Sequence, residues 1–379
     1  MNPALPPEFS PADAAWMARA QALAEQAVGL TEPNPRVGCV ITAADGTVLG
    51  EGHTQAAGQA HAEVMALRAA AAAGRDVRGA TAYVTLEPCA HHGRTPPCCD
   101  ALIAAGVGRV VVAAGDPNPL VNGQGLARLR AAGTTVVQAS APHVEACEAL
   151  NIGFFHRMRT GRPWVRLKVA ASLDGRTALD NGVSQWITGL DARRDGHAWR
   201  RRAGALLTGV GTVLADDPRL DVRLVPTPRQ PLRAIVDARL DTPPSARLFE
   251  AEGPLVFYAA APAPERVAAL TAQGAEVILL PATAGRVDLA AVLADLARRP
   301  INELHVEAGP RLNGSLISAD LVDECLVYLA PMLLGAGRGM AALPALTTLD
   351  GAWCYAFHDQ TPIGADLRLR LRRRTRTPD

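Results

Sequence analysis

The strongest constraint on how this chain folds is a histidine and two cysteines of metal-ligand type, His61, Cys89 and Cys98. A neutral imidazole and two thiolates hold Zn²⁺ in three of its four tetrahedral positions and leave the fourth for water. Glu63 is not a ligand in this arrangement, but it is placed to carry protons between that water and a nucleobase-like ring. The fold must therefore bring three distant residues together, and the pattern predicts hydrolytic deamination with Glu63 as acid and base.

A structural zinc site is the alternative interpretation, because a fourth Cys or His would close the position that water needs. The nearby candidates are His91, His92 and Cys99. A structural site has no need of Glu63, so we favour the catalytic interpretation and expect Cys99 to be buried at the start of a helix. The two histidines are then expected to shape the substrate pocket.

The spacing of the two cysteines narrows the family. Zinc deaminases of nucleobases usually have two residues between their cysteines, whereas this chain has eight, over 90–97. This loop and three further runs resemble the deaminase half of the bifunctional riboflavin-biosynthesis deaminase/reductases: Asn-Pro-Arg-Val-Gly at 34–38, Thr-Leu-Glu-Pro-Cys at 85–89 and Asp-Pro-Asn-Pro at 116–119. The resemblance implies a cytidine-deaminase-like N-terminal domain that binds Zn²⁺.

Length and composition limit the classes to which the chain can belong. Its 379 residues indicate two domains, placed at 1–155 and 156–379 because the pattern breaks over 151–163, a predicted solvated linker. A net charge of +1 and 4% aromatic residues favour neither nucleic acid nor an anionic membrane as partner. We see no apolar run long enough to span a bilayer, and seven cysteines beside a zinc pattern indicate a reducing compartment. We therefore expect a cytoplasmic protein that acts on small molecules.

Strands alternate with helices along the first half, which predicts a three-layer α/β/α domain. A helix that begins near His61 places His61 and Glu63 in its first turn. A strand over 81–85 delivers Cys89, and Cys98 opens the next helix. The metal ligands are then expected at two helix N-termini, whose dipoles favour thiolate.

The second half carries one lysine, and its position indicates a function. Lys168 is the only lysine among 38 basic residues, and it lies in a predicted strand over 164–170. A compact ammonium approaches a reacting atom more closely than a guanidinium does. A strand that ends at Glu307 leads into a glycine-containing loop and a helix, which leaves backbone N–H groups free for a phosphate. Farther on, Leu alternates with Arg over 367–373, which predicts a strand whose arginines face solvent.

Four segments of this half, 168–175, 184–188, 212–218 and 306–315, resemble the reductase half of the same family. The resemblance implies a dihydrofolate-reductase-like α/β domain that uses NADPH. The residues that it implies for the NADPH site are Ala170, Trp186, Thr212, Asp216, Ala238, Gly309, Pro310, Arg311, Leu312, Asn313, Gly314 and Ser315. Those that it implies for the ribosyl-phosphate substrate are Ser184, Arg200, Leu220, Arg223 and Glu307. We expect Lys168 or Asp174 near the reacting sugar carbon, with Lys168 as the proton donor.

The resemblance implies two consecutive steps of riboflavin synthesis. The N-terminal domain would deaminate 2,5-diamino-6-(5-phosphoribosylamino)pyrimidin-4-one, and the C-terminal domain would reduce the ribosyl group of the product to ribityl with NADPH. Two other interpretations stay open: a nucleic-acid base deaminase with an added binding domain, and a zinc nucleobase deaminase whose second domain binds without redox activity. The family also implies a homo-oligomer.

Overall fold

The computed structural model describes residues 8–93, 96–119, 121–261 and 263–374. The chain divides into two units, Met1–Gly161 and Arg162–Asp379, each built on its own sheet. The predicted domain limit at residue 155 thus lies inside the first unit. In the described ranges, no helix is long and apolar enough to cross a membrane.

The first unit has the three predicted layers. Its strands are β1 (Gly38–Thr42), β2 (Val48–His53), β3 (Thr81–Leu86), β4 (Arg109–Ala114) and β5 (Thr135–Gln138). Its helices are α1 (Pro11–Gln26), α2 (Ala62–Ala72), α3 (Cys98–Ala104), α4 (Gln124–Ala131), α5 (Ala141–Leu150) and α6 (Ile152–Thr160). The strand order is β2-β1-β3-β4-β5. Helices α1 and α5 pack on one face, and α2, α3 and α4 pack on the other.

One edge of this sheet collects the loops that carry the predicted site. Strands β3, β4 and β5 are parallel, so their carboxyl ends open on the same edge. Strand β1 is antiparallel to both β2 and β3, so β1 begins and β2 ends at that edge too. The first residue of β1 must be glycine, because a Cβ atom on Gly38 would lie 1.9 Å from the Ala20 carbonyl oxygen of α1. This close approach fixes α1 against the sheet beside the site.

The segment over 151–163 is not the irregular linker that the sequence predicts. Residues Ile152–Thr160 form α6, and Phe154 and Phe155 are buried in the core of the first unit. Gly161, with φ of 74°, ends the helix. The prediction was wrong because the arginine-rich sequence around the two phenylalanines is typical of an exposed linker. The core into which the two aromatic side chains pack comes from other parts of the chain.

The second unit is built on a nine-stranded sheet with the order β11-β10-β9-β8-β14-β6-β15-β18-β17. The strands of the unit are β6 (Trp164–Ser172), β7 (Arg176–Leu179), β8 (Ala205–Gly209), β9 (Leu232–Val236), β10 (Leu255–Ala259), β11 (Glu276–Leu279), β12 (Ala282–Thr283), β13 (Arg286–Val287), β14 (Glu303–Val306), β15 (Glu324–Ala330), β16 (Gly337–Gly339), β17 (Tyr355–Ile363) and β18 (Asp366–Arg373). Its helices are α7 (Leu190–Arg202), α8 (Val210–Asp216), α9 (Pro264–Ala272), α10 (Leu289–Arg298) and α11 (Pro310–Ser318). The sheet is parallel from β11 to β15, and β18 is antiparallel to both of its neighbours, β15 and β17.

In β18 the alternating arginine side chains are largely buried, whereas the sequence predicts that they face solvent. The side chains of Arg368 and Arg370 are only 15% and 18% exposed, and each pairs with a carboxylate. Their guanidinium groups lie 5.8 and 4.9 Å from the centre of the Trp199 ring of α7. Leu367, on the other face, is 37% exposed. The prediction of a solvated arginine face was wrong because the partners of these arginines come from distant parts of the sequence.

Candidate functional site

The three predicted metal ligands come together at the carboxyl edge of the first sheet. His61 immediately precedes α2, Cys98 is the first residue of α3, and Cys89 lies in the loop after β3. The Nδ1 atom of His61 is 3.2 Å from Cys98 Sγ and 3.7 Å from Cys89 Sγ. All three ligand atoms lie within 4.8 Å of one another. The fold thus assembles the donor set that the sequence predicts.

The local hydrogen bonds favour thiolate at Cys89. The backbone N–H of Cys98, at the N-terminus of α3, donates to Cys89 Sγ over 3.3 Å. A hydrogen bond from the Cys98 thiol lowers the pKa of Cys89 to about 4 despite burial. The same bond, together with burial, raises the pKa of Cys98. One imidazole nitrogen and two sulfurs form a donor set that suits Zn²⁺ and leaves one tetrahedral position open.

Glu63 lies in the first turn of α2 and is only 3% exposed. Burial raises the pKa of its carboxyl group to about 7, and the negative charge of Cys89 adds to the rise. A carboxyl group that titrates near neutral pH can both take and return a proton. The position and the pKa of Glu63 therefore suit the acid–base role predicted for it.

No fourth Cys or His joins the three ligands in the described part of the chain. Cys99 is fully buried at the start of α3, as expected. The Nδ1 atom of His91 is buried and has no hydrogen-bond partner among the described residues, which suits a side chain that lines a pocket. Arg94 and Thr95 of the long loop lie outside the described residues. The open coordination position favours the catalytic interpretation over the structural one.

A buried network that the sequence analysis missed holds the start of β1 at this edge. The Asn151 side chain accepts a hydrogen bond from the Arg36 N–H over 2.7 Å and donates one to the Arg36 carbonyl over 2.9 Å. The Arg36 guanidinium donates to the Leu150 carbonyl over 2.7 Å. The run at 34–38 was noticed in the sequence, but its partner lies 115 residues away. Local patterns give no sign of such a pairing.

Lys168, Arg200 and Glu307 meet in the second unit. The Arg200 guanidinium donates two hydrogen bonds to the Glu307 carboxylate, over 2.5 and 2.9 Å, and a third to the Asp221 carbonyl over 2.7 Å. The ammonium nitrogen of Lys168 lies 3.9 Å from the same carboxylate. Burial would raise the pKa of Glu307, but Arg200 and Lys168 hold it well below its usual range. Burial lowers the pKa of Lys168.

Two other predicted substrate residues, Leu220 and Arg223, lie beside Asp221. The sequence analysis did not single out Asp221. Leu220 is buried and has a φ of 50°. Arg223 Nη1 lies 2.6 Å from Asp221 Oδ1, and the Arg223 N–H donates to His197 Nδ1 over 3.2 Å. Burial and two nearby arginines lower the pKa of His197 to about 3, so the ring is a neutral acceptor. Ser184 lies in the loop after β7, and the described contacts do not join it to this group.

The carboxylate of Asp174 links the turn after β6 to the loop after β15 through hydrogen bonds. It accepts a hydrogen bond from the Ser172 hydroxyl over 2.5 Å and from the N–H groups of Leu334 and Gly335 over 3.1 and 2.8 Å. These bonds, that of Ser172 first, lower the pKa of Asp174 to about 2. A carboxylate held in this way is a poor proton donor, which favours Lys168 for that role.

The predicted cofactor residues follow the carboxyl ends of neighbouring parallel strands. Ala170 lies near the end of β6, Thr212 lies in α8 after β8, Ala238 follows β9, and Gly309 precedes α11 after β14. Ligands of open parallel sheets bind at this edge. Helix α11 has no side-chain cap at its N-terminus, so its first N–H groups are available to a phosphate.

Two unpaired atoms at the same edge indicate that a polar ligand fits there. A Cβ atom on Gly309 would lie 3.8 Å from Thr212 Oγ1, so α8 and α11 begin close together. Asn313 Oδ1 and Thr208 Oγ1 are buried without a hydrogen-bond partner among the described residues. Buried polar atoms are normally paired with protein, water or ligand, so these residues fit a polar cofactor such as NADPH.

The remaining predicted cofactor residues differ in placement. Trp186 is 62% exposed, and the Arg193 guanidinium lies 4.1 Å from the centre of its ring. Asp216 ends α8, where burial raises the pKa of its carboxyl group. Gly314 packs closely on Ala342, with 2.1 Å from an added Cβ to the carbonyl oxygen. The Ser315 hydroxyl donates back into α11, over 3.0 Å. Pro310, Arg311 and Leu312 make up the first turn of α11.

Two family models match the chain. The model of the RibD C-terminal domain matches residues 163–361, and the model of the cytidine and deoxycytidylate deaminase zinc-binding region matches residues 10–114. The second match contains His61 and Cys89, and the first contains Lys168 and Glu307.

Whole proteins of one kind are similar to the chain along nearly its full length. It is 47% identical to riboflavin biosynthesis protein RibD of Escherichia coli over 95% of this chain and 99% of that protein. It is 45% identical to the RibD of Haemophilus influenzae over 96% and 98%. Among solved structures, Acinetobacter baumannii RibD superposes with a TM-score of 0.86 at 40% identity, covering 96% of this chain and 99% of that one. A diaminohydroxyphosphoribosylaminopyrimidine deaminase/5-amino-6-(5-phosphoribosylamino)uracil reductase of Thermotoga maritima gives 0.84 at 31% identity, with the same coverage.

Proposed function

The chain belongs to the RibD family of bifunctional deaminase/reductases of riboflavin biosynthesis, and on this premise we propose how its residues carry out the two reactions. The N-terminal part is a zinc-binding deaminase domain, and the C-terminal part is a dihydrofolate-reductase-like reductase domain. The substrate of the first is 2,5-diamino-6-(5-phosphoribosylamino)pyrimidin-4-one, and that of the second is 5-amino-6-(5-phosphoribosylamino)uracil.

For deamination, His61, Cys89 and Cys98 would hold Zn²⁺. When bound, the ion supplies the Lewis acidity that makes hydroxide available near neutral pH. Glu63 takes one proton of the attacking water and passes it to the ring nitrogen. It then takes the remaining hydroxyl proton of the addition product and delivers it to the amino group, which leaves as ammonia while the carbonyl forms. Its burial keeps the pKa near 7, so it can serve as base and acid in turn. The single observation that carries the proposal is the buried Glu63 beside an open set of three ligands.

For reduction, hydride comes from NADPH, and a proton must also reach the sugar as its ring opens. Lys168 is the proposed donor, because burial lowers the pKa of its ammonium group. Glu307, itself fixed by Arg200, holds that ammonium in place. Both arginines pair with a carboxylate, but Arg200 gives two nitrogens to Glu307 and is 13% exposed, whereas Arg223 gives one nitrogen to Asp221 and is 46% exposed. We therefore assign the substrate phosphate to Arg223 rather than to Arg200, since charge-assisted bonds to phosphate need a guanidinium that can turn to it.

For the cofactor, the N–H groups at the start of α11 would receive a phosphate of NADPH. Gly309 and Thr212 would flank it, and the unpaired Asn313 side-chain oxygen would accept a hydrogen bond from the cofactor or its water. Ala170 and Ala238 would lie near the nicotinamide or ribose at backbone level. Trp186, Asp216 and Ser184 keep the roles that the family resemblance implies.

The decisive experiment is mass spectrometry of the diaminopyrimidine substrate after incubation with the purified protein, with and without NADPH. We expect deamination alone without cofactor, and deamination plus reduction with it. Deamination in both samples without reduction in the sample that contains NADPH would mean that the C-terminal domain binds without redox activity. No change in either would contradict the assignment of Glu63 and the metal ligands once a zinc content of one ion per chain has been measured.

We further propose a homo-oligomer that works in the cytoplasm. All seven cysteines are free, and a thiolate metal site requires reducing conditions. An apolar face of the large sheet supports self-association: Phe357 is 62% exposed on edge strand β17, and Leu367 is 37% exposed on the same face of the neighbouring strand β18. The charged face of β18 is covered by α7, so the uncovered face is the apolar one.

A further inference from the structure

Glu87, next to the metal-ligand loop, is a buried carboxylate that the mechanism does not use. It immediately follows β3 and is only 4% exposed. No basic side chain of the described residues forms an ion pair with it. A buried carboxylate without a cation is costly unless hydrogen bonds satisfy it. Its partners should therefore show what it does.

Four backbone N–H groups satisfy the carboxylate, and all of them come from the loop after β4 and the start of α4. One oxygen of Glu87 accepts from Gly123 over 2.9 Å and from Asp116 over 3.3 Å. The other accepts from Gly125 over 2.9 Å and from Leu126 over 3.4 Å. Helix α4 has no side-chain cap of its own, so Glu87 provides the negative charge at its N-terminus from a distant strand.

The same region is packed tightly against the residue that precedes Cys89. A Cβ atom on Gly125 would lie 1.9 Å from the Pro88 carbonyl oxygen. Burial raises the pKa of Asp116 to about 6, and the charges of Glu87 and Cys89 add to the rise, so Asp116 lies within electrostatic range of the site. Strands β3 and β4 are parallel neighbours, so the loops after them lie side by side at the edge of the sheet that carries the metal ligands.

We propose that Glu87 is a positioning residue of the deaminase, whose carboxylate ties the backbone at Asp116 and at 123–126 to the loop that carries Cys89 and thereby fixes one wall of the ring-binding cleft. It does not touch the metal or transfer a proton. The inference rests on the proposed deaminase function. A loosened wall should weaken substrate binding more than the chemical step, because the ligands and Glu63 are held by α2, α3 and β3.

The test is Glu87→Gln in the full-length zinc enzyme, with steady-state kinetics of both reactions and zinc content. The amide keeps one acceptor oxygen but turns an NH₂ group toward two N–H donors. We expect the KM of deamination to rise at least about tenfold with a smaller change in kcat. Zinc should stay at one ion per chain, and reduction of the deaminated substrate should be unchanged. The matched control is Glu25→Gln on the exposed side of α1, which should behave as wild type.

Each other outcome has a distinct meaning. An unchanged KM in Glu87→Gln, with wild type active, overturns the inference but leaves the deaminase function standing. Loss of zinc overturns it as well, because Glu87 would then act on the metal ligands. If Glu87→Gln fails to fold, Glu87→Asp decides, since it keeps the charge but shortens the reach. A raised KM there supports the inference, and a wild-type KM overturns it. No deamination by wild type would instead contradict the proposed function itself.

Discussion

Glu63 and Glu87 show how different hydrogen-bond partners give two buried carboxyl groups at one sheet edge different roles. Glu87 is satisfied by four backbone N–H groups. Burial raises the pKa of Glu63 to about 7. Four donors hold the Glu87 carboxylate in one place, whereas a buried carboxyl group with few donors has a raised pKa and can exchange a proton. The difference lies in the partners, since both residues are buried glutamates beside a metal ligand.

Replacing Glu63 with Gln should abolish proton transfer and leave the metal in place. The amide has the same shape but cannot accept the proton of water, so we expect the kcat of deamination to fall by roughly 10²–10⁴-fold. Ammonia release measures this loss, and zinc content should remain that of wild type. Reduction of chemically supplied deaminated substrate provides the control, because it should proceed at the normal rate. Ammonia release at the wild-type rate would mean that another group is the base.

Replacing Lys168 with Met should stop reduction without removing NADPH. The methionine keeps the length of the side chain but carries no proton, so NADPH oxidation should slow by about 100-fold or more. Fluorescence titration with NADPH should give the wild-type Kd. Lys168→Arg should also be slow, because a guanidinium does not release its proton. Turnover at the wild-type rate in Lys168→Met would remove Lys168 from the chemistry.

Helix α1 is tied to the first sheet by a carboxylate at its N-terminus. Asp13 is 2% exposed and accepts hydrogen bonds from the Arg109 guanidinium over 2.7 and 2.9 Å and from the Tyr83 hydroxyl over 2.9 Å. The hydrogen bonds to Arg109 hold the pKa of Asp13 well below its usual range. A group with a depressed pKa stabilises the fold above its unfolded pKa, about 3.9, and that contribution is lost as pH falls toward the folded pKa.

Asp13→Asn should therefore destabilise the deaminase domain at neutral pH. Breaking a buried ion pair costs about 3–5 kcal/mol, so the urea midpoint for loss of deaminase activity should fall. The difference from wild type should shrink as pH drops below about 3.9, where wild type begins to lose the same contribution. Asp76→Asn is the matched control, because the Asp76–Arg78 pair has side chains 57% and 80% exposed and should matter little. Equal midpoints for Asp13→Asn and wild type would contradict the argument.

At the scale of elements, the sequence predicts helices and strands well where a local signal exists. The starts of α2 at Ala62 and of α3 at Cys98 agree with the prediction, and both follow from ligands that need helix N-termini. The failures are α6, predicted as a linker, and the arginine face of β18, predicted as solvated. In both cases the residue pattern was read correctly, but the surface that buries it comes from a distant part of the chain. Trp199 is such a partner for Arg370.

At the scale of the whole molecule, the predicted two-part organisation and both fold classes follow from motifs that belong to each reaction. The zinc ligands could be predicted because metal coordination restricts residue types strongly. The partners of the reductase residues could not, because nothing local links Arg200 to Glu307, 107 residues away. A reaction that needs rare residue types, such as metal ligands, can be predicted from a sequence. The ion pairs of common charged residues that hold the reacting groups in place cannot.

The exposed apolar face of strands β17 and β18 predicts that the molecule associates with itself. Residues paired across antiparallel strands share a face, so Phe357 lies beside Leu371 and Pro362 beside Leu367 on the face opposite to the arginines. An exposed apolar face at a sheet edge is typical of a protein–protein interface. The double change Phe357→Ser and Leu367→Ser should raise the Kd of the oligomer by roughly 30-fold, from a loss of about 2 kcal/mol.

Light scattering across a dilution series measures that shift. Leu279→Ser is the matched control, because Leu279 is 51% exposed on β11 at the opposite end of the same sheet and should leave assembly unchanged. A wild-type protein that is monomeric at micromolar concentration would contradict the homo-oligomer. An oligomer whose Kd is unchanged in the double variant would mean that the interface lies elsewhere. Two polar substitutions on this face would weaken an interface that formed there.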